Sequence, residues 1–150
     1  MKILSLVVLS FILGWGPKVQ IIQSTSQEWF GGLQESGYGT NYKLSVKTKL
    51  GSDQLQIDEL WIGDIHAKIR VLADPSNPKG TSFKKGSLIS IVAATTLRPG
   101  PDDKPQLLGA DSIKKPYNYK GEGLLGYTCK GRKAYLEISE FKKLEKIIYP

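Results

Sequence analysis

The chain of 150 residues is 40 % hydrophobic and 23 % charged, enough apolar material for one folded core and too much for a disordered segment. Its 21 Lys and Arg against 14 Asp and Glu leave a formal charge of +7, so the surface is cationic. One His and one Cys exclude a zinc finger, a multi-histidine metal centre and a disulfide framework within the chain.

Lys2 followed by the apolar run Ile3 to Leu13, broken only by Ser5 and Ser10, has the make-up of a secretory signal peptide. The run is about half of the ~20 residues needed to span a bilayer, and Gly14, Gly16 and Pro17 interrupt it. Small residues at Ser24-Thr25-Ser26 place the cut after residue 26; Gly14-Trp15-Gly16 is nearer the run, but Pro17 would follow it. An uncleaved anchor or a buried first strand is the rival reading. The expected domain is therefore 27–150, secreted or periplasmic, with no transmembrane helix. Cys129 is then alone in an oxidising space, either buried and inert or paired between chains.

Beyond the leader the hydrophobic pattern has period two. Tyr42, Leu44, Val46 and Thr48 fall on one face, and Lys43, Ser45, Lys47 and Lys49 on the other. Leu55 to Ile62 and Ile65 to Val71 flank Gly63-Asp64, a Gly-first two-residue turn, and predict a tight hairpin. Asp74 to Gly80, with two prolines, reads as a loop. Ser87 to Leu97 is the most apolar stretch, as in a central strand covered on both sides. Residues 98–121, with Pro99, Pro101, Pro105 and Pro116, form a long loop of the kind that carries function or motion. A last hairpin turns at Lys130-Gly131, Ser139 caps a helical turn that faces Phe141 and Leu144 inward, and Ile147 to Tyr149 closes the chain. Six or seven short strands without a long helix predict an all-β, antiparallel β-sandwich of immunoglobulin-like type, with a small β-barrel as the alternative.

Few side chains could converge to do chemistry. Alternation places Asp64, His66 and Lys68 on one strand face, so an Asp64–His66 pair is the one arrangement able to move protons, as in a hydrolase or lyase acting on an envelope polymer. A solvent-facing histidine beside a turn is the simpler reading. Asp58-Glu59 and Asp102-Asp103 are adjacent residues that point to opposite strand faces or lie among prolines, so neither makes a carboxylate dyad or a calcium loop. Gly37-Tyr38-Gly39-Thr40 leads into a strand and not into a helix, unlike a phosphate loop. No metal, cofactor or catalytic residue is expected.

The basic residues point elsewhere. Lys43 and Lys47 share one strand face, and Lys68 and Arg70 another; within one sheet they would form a cationic surface for acidic glycan or another polyanion. Only three of the 21 basic residues are Arg, which argues against nucleic acid. Lysines that keep strand edges from pairing would give the same pattern. Trp61, Tyr117 and Tyr119, lying near turns and the long loop, could form a stacking platform, with Trp61 either in a second buried layer or an exposed anchor.

Gly31-Gly32 with Ser36-Gly37-Tyr38-Gly39-Thr40-Asn41-Tyr42, Leu60-Trp61-Ile62-Gly63, Phe83-Lys84-Lys85-Gly86 and the ending Ile147-Ile148-Tyr149-Pro150 resemble segments of small exported β-proteins of Bacteroidetes, a group with no established activity. The resemblance implies export and a β-fold, and brings no site residues. The expectation is a non-enzymatic envelope module with a structural or interaction role, whose partner is an envelope protein or an acidic glycan.

Overall fold

The computed structural model describes residues 16–74, 76–77 and 79–150; the apolar run Ile3 to Leu13 of the expected leader lies outside them, as do Pro75 and Pro78. Alternation becomes strand structure throughout. In chain order the strands are β1 (Val19–Phe30), β2 (Tyr38–Thr48), β3 (Leu55–Ile62), β4 (Ile65–Ala67), β5 (Ile69–Leu72), β6 (Leu88–Pro99), β7 (Pro105–Leu108), β8 (Ala110–Asp111), β9 (Gly123–Cys129), β10 (Arg132–Ile138), β11 (Lys142–Lys143) and β12 (Ile147–Ile148). Six of these twelve, β1, β2, β3, β6, β9 and β10, are seven residues or longer; the others are pieces of two to four residues that alternation alone does not resolve.

The strands form two sheets. The large sheet runs β11-β1-β2-β6-β5, with β12 also on β1 and β7 on β6; the small sheet runs β10-β9-β3-β4-β8. Both are open, so the barrel alternative is excluded and the two-sheet arrangement agrees with a sandwich. Leu44, Val46, Ile89 and Ile91 of the large sheet meet Leu55, Leu60, Leu125 and Ile138 of the small one, each at most 2 % exposed. Burial of each such side chain contributes about 1.5–3 kcal/mol.

Residue 26, the end of the expected leader, lies within β1, where Val19 is fully buried and Ser26 pairs with Tyr42 of β2. Three expectations are corrected. The strand expected over 65–71 breaks at Lys68, because Ala67 pairs with Leu60 in the small sheet and Ile69 with Ala93 in the large one. β6 is central but covered on one face only; Leu88 on its outer face is 63 % exposed. The C-terminal helical turn is absent. Residues 139–150 instead lie extended along the edge of β1, where the amides of Leu144 and Tyr149 donate to the carbonyls of Ser26 and Phe30. Phe141 turns inward as expected, whereas Leu144 is exposed.

The long loop is also more ordered than its prolines imply. It contains a 3-10 turn at Pro101–Asp103, β7 and β8. Its remainder, residues 112–121, forms a strap over the outer face of the small sheet.

Candidate functional site

Trp61, Leu124 and His66 sit on the face of the small sheet opposite the shared core, yet they are 2 %, 0 % and 8 % exposed. The strap accounts for this. The Trp61 Nε1 donates to the Ile113 carbonyl, the Tyr119 hydroxyl to the Gly63 carbonyl, and the amides of Lys120 and Gly121 to the Glu137 carboxylate. Tyr117 meets the Tyr135 ring edge-on at 5.8 Å, and desolvation raises the pKa of both strap tyrosines, Tyr117 and Tyr119. Trp61 is thus part of a second buried layer. Trp61 and Tyr119 hold the strap by their hydrogen bonds, while Tyr117, packed on Tyr135, remains 47 % exposed.

A β-bulge at Asp58 interrupts the β3–β9 register between Ile57 and Glu59. The extra residue turns Asp58 and Glu59 to the same face, against the expectation that neighbours point apart. Both reach one cation: Lys133 Nζ lies 3.1 Å from Asp58 Oδ2 and 2.8 Å from Glu59 Oε2. Partial burial lowers the Lys133 pKa, but the hydrogen bonds and charges of these carboxylates outweigh it and hold the ammonium above the ordinary lysine value.

His66 lies between Glu59 and Asp111. Its Nε2 is 3.7 Å from Glu59 Oε1 and its Nδ1 is 3.6 Å from Asp111 Oδ2, both too long for hydrogen bonds, and neither ring nitrogen has another partner among the described residues. The Trp61 ring packs on it edge-on at 4.9 Å. The expected partner, Asp64, is elsewhere. It occupies the hairpin turn after Gly63, outside the ladder where alternation applies, and forms an ion pair with Lys115. His66 is therefore neither solvent-facing nor paired with Asp64. Its flanking carboxylates are in turn occupied, Glu59 by Lys133 and Asp111 by Lys68 at 3.7 Å. No group of three or more His, Cys, Asp or Glu among the described residues is placed to hold a metal ion.

The other basic candidates lie on the outer face of the large sheet. Register places Lys142, Thr25, Lys43, Val92 and Arg70 in one row across β11, β1, β2, β6 and β5. Lys47 follows four residues along β2. Strands β2, β5 and β6 contain no Asp or Glu, and Glu28 of β1 points the other way, opposite Thr40. Lys43, Lys47 and Arg70 are exposed, and none has an acidic partner among the described residues. A groove of about 620 Å³ runs over this surface, lined in part by Thr25, Gln27, Asn41, Lys43, Lys68 and Arg70. Lys68, at the crossing between sheets, is shared between this groove and Asp111. The fold thus sorts charge: unpaired cations on the outside of the large sheet, carboxylates with their partners on the outside of the small one.

No protein-family model, curated protein or solved structure matches the chain. Among the described residues, no helix is long and apolar enough to cross a membrane.

Proposed function

We propose that the protein is a non-enzymatic, exported binding module that engages a polyanion on the outer face of its large sheet. The observation that carries this is the unpaired trio Lys43, Lys47 and Arg70 on a face whose central strands lack carboxylates. Edge protection accounts for Arg70, on the edge strand β5, but not for Lys43 and Lys47, which belong to β2, hydrogen-bonded on both sides by β1 and β6 with no open edge to guard. The formal charge of +7 of the full sequence stays positive after Lys2 leaves with the leader, so long-range attraction adds to the local contacts.

Export is supported by the basic and apolar start of the chain and by the resemblance to small exported β-proteins. An immunoglobulin-like sandwich is supported by two sheets over one core, antiparallel except where the short β11 and β12 run parallel to β1. The polymer hydrolase or lyase reading loses its proton pair, since Asp64 is bound to Lys115 and the carboxylates beside His66 are engaged by lysines.

Retention on a heparin column, followed by binding across a salt series, tests the proposal. The wild-type protein is retained, and log K falls with log salt. Replacing Lys43, Lys47 and Arg70 by Gln makes that slope roughly 2–3 less steep and moves elution to low salt. Equal retention of the triple variant would overturn the assignment of the face.

A further inference from the structure

We infer that the polyanion is an acidic polysaccharide lying across the strands in the groove of the large sheet, an inference that rests on the binding face proposed above. Charge spacing and the chemistry between the charges both point that way. Lys142 and Lys43 flank Thr25, and Lys43 and Arg70 flank Val92, so each neighbouring pair is two strands apart. Strands lie about 4.8 Å apart, which sets the cations at roughly 10 Å intervals along the row. That interval is close to the advance of two sugar units in an extended glycan, so a polyuronate with one carboxylate per sugar places every second carboxylate at a cation. Duplex DNA carries a charge every ~1.7 Å of axis and would leave most of its phosphates without a partner.

The side chains between the cations are neutral hydrogen-bonding groups. One register step either way, the same face carries Gln23, Ser45 and Ser90 on one side and Gln27 and Asn41 on the other. Amides and hydroxyls of this kind pair with sugar hydroxyls, both donating and accepting, whereas phosphate oxygens only accept. Gln27 gives its amide N–H to the Glu145 carbonyl at 2.9 Å, which leaves its own Oε1 to accept from a hydroxyl. Ala94, in register with Asn41, keeps the groove floor low beside these groups. Glu140 and Glu145 flank β11 at the far end of the row, so the anionic groups are held chiefly between Lys43 and Arg70.

The test is calorimetric titration of the protein at fixed ionic strength with polygalacturonate, with inorganic polyphosphate, with a DNA duplex and with uncharged dextran. Polygalacturonate is expected to bind, dextran not, and polyphosphate and DNA more weakly per charge. Lys43→Gln with Arg70→Gln should abolish binding of every anion. Asn41→Ala, at an exposed position, should weaken polygalacturonate about fivefold, the weight of one neutral hydrogen bond, and leave polyphosphate unchanged. Circular dichroism of each variant confirms the fold. Polyphosphate or DNA binding as tightly as polygalacturonate, or Asn41→Ala weakening all anions alike, would overturn the saccharide inference while leaving the cationic face intact. Absence of binding to any of the anions would overturn both.

Discussion

Leu124 and Leu125 are neighbours on β9, both fully buried, and they face opposite ways. Leu125 packs in the core between the sheets; Leu124 lies under the strap, in register with Trp61. Were residues 112–121 a loose loop, Leu124 would face water and its truncation would cost little. Under a latched strap, Leu124→Ala removes three carbons from a buried layer, about 2–3 kcal/mol of transfer free energy before any cavity term, and about 2–5 kcal/mol in all. Leu125→Ala should cost a similar amount by a different route. Urea denaturation measures both losses, and limited trypsin digestion separates them. Leu124→Ala should open Lys114 and Lys120 to cleavage under native conditions, whereas Leu125→Ala should leave the strap protected. A loss below ~0.5 kcal/mol for Leu124→Ala would refute the second buried layer.

Three further outcomes are expected. Gly109→Ala combines a backbone at φ +82 with a Cβ directed into the Ala94 carbonyl oxygen, and should cost at least ~2 kcal/mol; Gly63→Ala, at φ +61 with open space around it, should cost about 1 kcal/mol by the same melt. Lys133 has a folded pKa above its unfolded value, so its contribution is complete below about 10.4 and is lost as pH rises through the folded pKa. The stability gap between wild type and Lys133→Met should therefore hold at about 0.5–1 kcal/mol to pH ~10 and shrink above it; a gap that widened would contradict the pairing with Glu59 and Asp58. Under the export proposal, intact-mass analysis of protein recovered outside the cytoplasm should find an N-terminus at or before Val19, and a chain beginning at Gln27 would show that an intact β1 is dispensable.

β2 and β10 were legible because each carries an uninterrupted alternation, Tyr42 to Thr48 and Arg132 to Ile138. β1 escaped because Ser24-Thr25-Ser26 reads as a cleavage signal, while in the sheet Thr25 and Ser26 are buried polar strand residues. The bulge at Asp58 did leave a mark. The apolar phase shifts between Ile57 and Leu60, so two polar residues stand where alternation allows one, and that slip brings Asp58 and Glu59 together on Lys133. The surroundings of His66 leave no such trace, since Glu59, Asp111 and the strap come from distant parts of the chain. C-terminal residues with helical spacing became extended because the open edge of β1 offered backbone partners, and tertiary pairing outweighs local propensity.

Mapping of backbone amide shifts on ¹⁵N-labelled protein during titration with a soluble polyanion tests the binding face most directly. Binding on the large sheet predicts saturable shifts at Lys43, Ser45, Lys47, Val92 and Arg70, with Lys133 and Tyr135 of the opposite face unmoved. Shifts centred on the strap and the small sheet, or no shifts at any residue, would contradict it.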